Sequence, residues 1–334
     1  MILFSDLHLC EESAETVFGQ VLPGLFRACI ERKDYEIACL GDIWHIRYKI
    51  DARLQNLLRD ELVRWTLVGI RITILPGNHD QYEIDGRNAL EVLGHIAGIQ
   101  VYTVPTRDSR GLWVPYRKDI SEIQVAIREV PESMLPLGEP TLFLHHGIQG
   151  AWMNDKVYDT KGVKLEDIGP QWQTVLCGHY HRHQKMGNRL WYIGSPYQTS
   201  VHEAGDPKGY CIWDGKQLTF VPQDWGRRYY VFEVAPGQNV DLSGVRPGDE
   251  VRVKTTGSDA EKDAKRIGTL LAQAGIVKNT VTPDIPTMQA RLGVADGATM
   301  RQYAAAYIDK VAIPESMDKV KLLNTFCRLS GVQP

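Results

Sequence analysis

Short apolar runs alternate with longer amphipathic stretches along the first half of the chain. Residues 1–5, 35–40 and 71–75 read as strands. Between them, residues 12–33 read as a helix interrupted near Pro23-Gly24, and residues 51–68 as an amphipathic helix. Residues 86–97 are predicted helical, and residues 141–144 and 174–177 are short strands apolar enough to be buried on both faces. Such β-α alternation predicts an α/β layered core. Strands follow at residues 190–193, 210–213 and 218–221, with Asp214-Gly215 as the hairpin turn between the last two.

The pattern changes near residues 224–228. Strands at 227–234 and 250–254 precede a polar helix at 258–274, a small α+β module. Two helices are predicted beyond Pro283 and Pro286, at 299–310 and 315–329. Met300, Tyr303, Ala304, Tyr307 and Val311 lie at helical spacing on the first. Met317, Val320, Leu323, Phe326 and Leu329 form a second stripe, whose uniform spacing of three drifts around the helix. The expected organisation is a catalytic domain at 1–225, an α+β cap at 226–285 and C-terminal helices at 286–334.

Charge and composition narrow the partners. The formal net charge is −3 over 334 residues, so binding to nucleic acid or an anionic surface needs a local patch. Residues 226–334 hold 15 Lys+Arg against 12 Asp+Glu, which leaves the acidic balance in the first 225 residues, where cations are expected. No apolar run approaches the roughly 20 residues of a membrane helix, and no signal peptide is expected, since Asp6 interrupts the opening apolar run. The six cysteines form no Cys-x-x-Cys pair, which argues against a disulfide framework or a thiolate zinc site and suits a reducing cytoplasm.

The chemistry sits at the strand ends. Asp6-Leu7-His8 follows the first strand, Gly41-Asp42 the second and Gly77-Asn78-His79-Asp80 the third. His145-His146-Gly147 follows the strand at 141–144, and Gly178-His179-Tyr180-His181 the strand at 174–177. Each block alone is as readily turn chemistry; five at successive strand ends are not. Sites in open α/β sheets lie beyond the carboxyl ends of the strands, so these groups are expected to converge. An Asp/Asn/His set without thiolates suits Mn²⁺, Fe²⁺ or Zn²⁺ rather than Ca²⁺. One carboxylate between two ligand sets can bridge two ions, which generate a hydroxide nucleophile and neutralise phosphoryl charge.

This order of blocks resembles the calcineurin-like metallophosphoesterases. Ser5-Asp6-Leu7-His8-Leu9 and Gly41-Asp42-Ile43-Trp44-His45 are similar to the opening blocks of the SbcD/Mre-type DNA repair nucleases. The segments at 192–198 and 205–210 resemble that branch after its last metal block, and length and C-terminal layout are similar to the recombination endonuclease subunits of tailed phages. The specific motifs cover about residues 1–215; beyond them the likeness is one of layout.

The resemblance implies a layered metallophosphoesterase sandwich with a small α+β cap and C-terminal helices. It implies one ion on Asp6, His8 and His181, a second on Asn78, His145 and His179, and Asp42 as the bridge. His146 is the alternative to His145, which is favoured as the first residue off its strand. His79 would contact the scissile phosphate and protonate the leaving oxygen, with His45 near the phosphate. The implied cofactor is a pair of divalent ions, Mn²⁺ ahead of Fe²⁺ or Zn²⁺. The implied partners are DNA, an SbcC-type coiled-coil ATPase and a second copy of the chain, without a membrane. The chain has no Gly-x-x-x-x-Gly-Lys phosphate loop of its own. The expected location is the cytoplasm, that of the host if the chain is phage-encoded.

The expected activity is a metal-dependent DNA exonuclease or endonuclease in recombination, repair or replication. Arg47, Lys49, Arg117, Lys118, Arg182 and Lys185 lie near the blocks and suit a phosphate backbone. Trp44, Tyr48, Tyr82, Trp152 and Tyr158 could stack bases or pack a core. The same core also serves small-molecule phosphodiesterases and phosphoprotein phosphatases. A non-catalytic scaffold has no use for seven matched ligands.

Overall fold

The computed structural model describes residues 1–83, 87–128, 140–154, 156–257, 259–284, 298–311, 314 and 317–330. Two compact units divide the chain: Met1–Val231 with Val245–Val251, and Phe232–Gly244 with Arg252–Pro334. The expected boundary at residue 286 lies outside the described residues.

The first unit holds two six-stranded mixed sheets. One runs β12 (Leu218–Gln223), β11 (Lys208–Trp213), β1 (Ile2–Phe4), β2 (Glu36–Cys39), β3 (Arg71–Ile74), β4 (Ile99–Val101). Strands β1 to β4 are parallel, and β11 and β12 extend the sheet antiparallel. The other runs β5 (Thr106–Asp108), β6 (Gly111–Val114), β7 (Thr141–His145), β8 (Thr174–Gly178), β10 (Leu190–Tyr192), β9 (Gln184–Met186). Its four central strands are parallel, and β5 and β9 close its edges antiparallel.

Alternation along the strands explains the layering. Ile2 and Phe4 enter one apolar cluster with Leu25, Leu58 and Trp65 of helices α2 (Leu22–Arg32) and α3 (Ala52–Leu67). Leu3, between them, points the other way and joins Leu40, Trp113, Phe143 and Leu176 in a cluster shared by both sheets. Leu142, Leu144 and Val175 face a third cluster with Ile123 and Ile127 of α4 (Ile120–Arg128). A side-chain period of two thus serves two apolar interfaces per strand, giving a helix–sheet–sheet–helix sandwich.

The helix expected at 12–33 begins with one turn, α1 (Ala14–Thr16), continues through a π segment at Val17–Val21, and has Pro23 in the first turn of α2. The π segment falls in the turn just before Pro23, whose ring lacks the N–H that a regular turn would use. The expected helix at 86–97 is corrected: Glu91–His95 is a short 3₁₀ turn leading into β4. Gly94 in this stretch weakens an α-helix, and Gly98 just past it takes a left-handed conformation that ends one. Residue 86 lies outside the described residues.

The third sheet has the order β13 (Tyr229–Val234), β14 (Glu250–Thr255), β15 (Lys278–Pro283). In the second unit, α5 (Ala260–Gln273) packs on β15, and Ile267 and Leu271 are fully buried. Helices Met300–Lys310 and Lys319–Ser330 pack on each other. The starts expected at 258 and 315 lie outside the described residues. Among the described residues no helix is long and apolar enough to cross a membrane.

Candidate metal centre

The loops leaving β1 and β2 continue the pairing of their strands. The amides of Asp6, His8 and Leu9 donate to the carbonyls of Gly41, Asp42 and Ile43 at 2.9, 3.0 and 2.7 Å. To hold this register while aiming polar side chains inward, the backbone enters the left-handed region at Asp6, His8 and Asp42, and at His179 after β8. Among the described non-glycine residues only Lys33, a helix C-cap, shares that conformation. Each such residue costs about 1–3 kcal/mol, strain that clusters at functional sites. Gly41 is also left-handed, and a Cβ there would stand 2.2 Å from His145 Nδ1.

Asp6 is fully buried. Its Oδ2 accepts from Ser5 Oγ at 2.5 Å and from the His179 amide at 3.1 Å. Its Oδ1 is buried with no hydrogen-bond partner. His181 Nε2 lies 4.0 Å from that oxygen and 2.9 Å from His8 Nε2. A buried, unpartnered carboxylate oxygen is expensive unless a cation neutralises it. Asp6, His8 and His181 offer ligand atoms within 4.8 Å of one another, and this oxygen and nitrogen set fits a borderline divalent ion.

Asp42, His145 and His179 form a second such group. His145 Nδ1 faces the Leu40 carbonyl at 2.5 Å, which leaves Nε2 aimed at Asp42 Oδ2 at 3.5 Å and Asn78 Oδ1 at 3.2 Å. Asn78 Oδ1 also lies 2.7 Å from His179 Nδ1. Asp42 Oδ2 is 3.8 Å from His8 Nε2, so the Asp42 carboxylate stands between the two groups. His146 turns away: its ring nitrogens face the Gly147 and Arg117 carbonyls at 3.0 and 3.2 Å, and it stacks on Tyr116.

His8, His45 and His79 make a third group. His45 Nδ1 is 3.4 Å from His8 Nδ1, and its ring stacks on His79 at 5.9 Å. His79 Nδ1 faces the His45 carbonyl at 2.6 Å, and the His79 amide donates to Asp42 Oδ1 at 2.8 Å. All nine expected site residues therefore come together at one end of the sandwich.

Burial and mutual repulsion set the charges. Burial, reinforced by His181, holds His8 well below the usual imidazole range. Burial and the neighbouring His145 push His179 down to about 3. Burial works against charge on His145 too, but facing Asp42 raises it to about 9. Asp42 is held below the usual carboxylate range, since His145 outweighs the opposing effect of burial.

Two carboxylates matter that the sequence reading leaves without a role. Asp80 is buried and accepts from the amides of Asp42, Gly77 and Trp44 at 2.8, 2.8 and 3.0 Å, fixing the second loop to the third. Burial and the Asp42 charge raise it to about 7. Its place in the Gly-Asn-His-Asp block was the available signal. Glu203 accepts from His181 Nδ1 at 2.8 Å; its only signal was its position between the two segments at 192–210.

The expected polymer contacts divide. Arg47, Tyr48 and Lys49 are exposed on the loop after Asp42, and Lys118 is exposed as well. Arg117 is corrected to a structural role: it is buried, with its guanidinium on the Tyr116 and Thr103 carbonyls. Arg182 faces Asp206 at 3.6 Å, and Lys185 lies over the Trp191 ring. Trp44 is buried in the core, whereas Tyr82, Trp152 and Tyr158 are exposed, the last two edge to face.

Comparison with known proteins agrees with this geometry. The chain is similar to exonuclease subunit 1 of Enterobacteria phage T4, at 26% identity over 211 residues. That match spans 58% of this chain and 58% of the phage protein, little more than half of either. The family model for the calcineurin-like phosphoesterases matches residues 1–194, the two-sheet sandwich through its last metal-site block, and the chain belongs to that family.

Proposed function

We propose that this chain is a two-metal-dependent DNA phosphodiesterase, an exonuclease or endonuclease acting in DNA recombination, repair or replication. The observation that carries the reading is the position of Asp42 between two donor groups, beside the unpartnered Asp6 Oδ1. Asp6, His8 and His181 would hold one ion and Asn78, His145 and His179 the other, with Asp42 placed to serve both. Mn²⁺ is the expected metal, with Fe²⁺ and Zn²⁺ also suited to the donors. When bound, the ions supply a hydroxide nucleophile and positive charge for the phosphoryl oxygens.

The chain's own residues do the rest. His79 donates a proton to the leaving oxygen, its Nδ1 oriented by the His45 carbonyl. The His45 ring, stacked beside it and exposed, is placed to touch the phosphate. Arg47, Lys49 and Lys118 are free to meet a phosphate backbone, and Tyr48 to stack on a base. DNA is favoured over a small ester because these groups extend the site along a polymer.

We assign the catalytic domain to 1–225, a DNA-orienting cap to 226–285 and an ATPase-binding region to 286–334. The relative is a subunit by its name, which supports a partner, and an SbcC-type coiled-coil ATPase is the one proposed. The six cysteines are free thiols, five of them buried, which suits the cytoplasm.

The test is incubation of the chain with Mn²⁺ and an end-labelled linear duplex. Metal-dependent shortening or nicking is expected, with no activity after exhaustive chelation. Brisk hydrolysis of a chromogenic diester with intact DNA would instead assign the site to small phosphodiesters.

A further inference from the structure

Behind His181 lies a buried ion pair. Glu203 Oε2 sits 2.7 Å from Lys208 Nζ, and both side chains are buried. Lys208 Nζ also donates to the His181 carbonyl at 2.8 Å and to Ser195 Oγ at 3.0 Å. Its three N–H donors thus have three acceptors. Glu203 Oε1 accepts from His181 Nδ1 at 2.8 Å and from the Thr199 hydroxyl, and Oε2 accepts the Thr199 amide at 3.1 Å. His181 is therefore gripped twice by one pair, through its ring by Glu203 and through its backbone by Lys208.

A buried Lys–Glu pair is a poor source of stability, because desolvation offsets its attraction. It is a good source of orientation. A carboxylate on Nδ1 fixes the proton there and leaves the Nε2 lone pair free. That nitrogen is the one turned to His8 Nε2 and Asp6 Oδ1.

We propose that Glu203, locked in place by Lys208, is a positioning residue that fixes the tautomer and ring orientation of His181 toward the ion held with Asp6 and His8. This rests on the reading of His181 as a ligand. The other group, Asp42, His145 and His179, has a different device for the same task, the Leu40 carbonyl on His145 Nδ1. The two ions should then respond differently to changes at Glu203.

The experiment is titration of the metal-free full chain with Mn²⁺ by calorimetry, with the melting temperature of each metal-free variant measured alongside. Glu203→Gln keeps a neutral acceptor and should weaken one of two sites modestly. Glu203→Leu combined with Lys208→Met leaves no unpaired buried charge, and should weaken that one site by about 10–100-fold with the other unchanged. Zinc-loaded wild type should show His181 protonated at Nδ1 by long-range ¹H–¹⁵N correlation. His181→Ala should abolish the same site. A double variant with two wild-type affinities, beside a His181→Ala protein that has lost one, would overturn the positioning role and leave the metal reading standing. Two undiminished sites in His181→Ala would overturn both. Equal weakening of both sites by the double variant would mark the pair as part of the general scaffold and also overturn the proposal.

Discussion

Asp42 Oδ1 accepts the backbone amide of His79 at 2.8 Å, so the carboxylate between the two donor groups also anchors the proposed acid. The link runs through the His79 backbone, and the two side chains have separable tasks. His79→Ala keeps that amide. It should bind two ions with unchanged affinity yet lose about 10²–10⁴ in rate. Asp42→Ala should lose metal and turnover together. Metal content beside single-turnover rates checks both, and loss of an ion from His79→Ala would make His79 a ligand.

His45 contributes its carbonyl to His79 and its ring to the open side of the site. His45→Ala removes only the ring. Both ions should remain, and exonucleolytic cleavage of duplex should fall more than cleavage of single strands. Matched assays on one labelled sequence in both forms test this. Equal losses would reduce the ring to a packing role.

Asp6 gives a stability test without activity. Burial raises it above the usual carboxylate range, and Oδ1 has no hydrogen-bond partner. In the metal-free protein its charge therefore opposes folding at every pH above roughly 3.9, where the unfolded carboxyl ionises. Asp6→Asn should stabilise the metal-free protein at neutral pH by about 1–3 kcal/mol while abolishing one metal site. The gain should vanish in acid, where both states are protonated. Thermal melts in chelator at two pH values decide it, and a destabilised Asp6→Asn would show that no cation is needed to balance this oxygen.

What the sequence revealed follows from locality. Asp6, Asp42, Asn78, His145 and His179 were legible because each follows an apolar run within a few residues, and the sheet rule gathers strand ends. Glu203 and Asp80 were not, because their tasks depend on atoms brought from elsewhere: Lys208 and His181 for one, three amides from two loops for the other. Strands β4, β5 and β9 were missed because each is a three-residue sheet edge, and β15 because its six residues form a mostly exposed edge with little apolar content. Arg117 looked like a surface cation because sequence shows its charge and not the Tyr116 and Thr103 carbonyls around it.

Gly24 reports on the sandwich alone. A Cβ at this helical position would stand 2.3 Å from the Trp225 ring, itself stacked on Tyr210. Overpacking costs about 1–3 kcal/mol, and the better helix propensity of alanine returns up to about 1 kcal/mol. Gly24→Ala should therefore melt several degrees lower, at about 2–4 °C per kcal/mol, with metal content unchanged. A variant as stable as the parent would show that Trp225 can move aside freely.

The C-terminal helices carry the last prediction. Helix Met300–Lys310 buries Ile308, and helix Lys319–Ser330 buries Cys327. Their predicted stripes are only partly covered: Met300, Tyr307 and Val311 on the first, and Val320, Phe326 and Leu329 on the second, are exposed. Met300, Tyr307 and Val311 share one face at helical spacing, which suits a helix-in-groove contact of the kind proposed for the ATPase. Ending the chain at Pro286 should leave a folded protein that binds two ions and cleaves a small diester, yet no longer retains an SbcC-type ATPase. Co-purification of truncated and full-length chains with that ATPase is the measurement. Equal recovery by both would place the interface on other surfaces, and full loss should be reproduced by Met300→Glu with Tyr307→Glu in the intact chain, since these two exposed positions share one helix face and charge there blocks a groove without unfolding the helix.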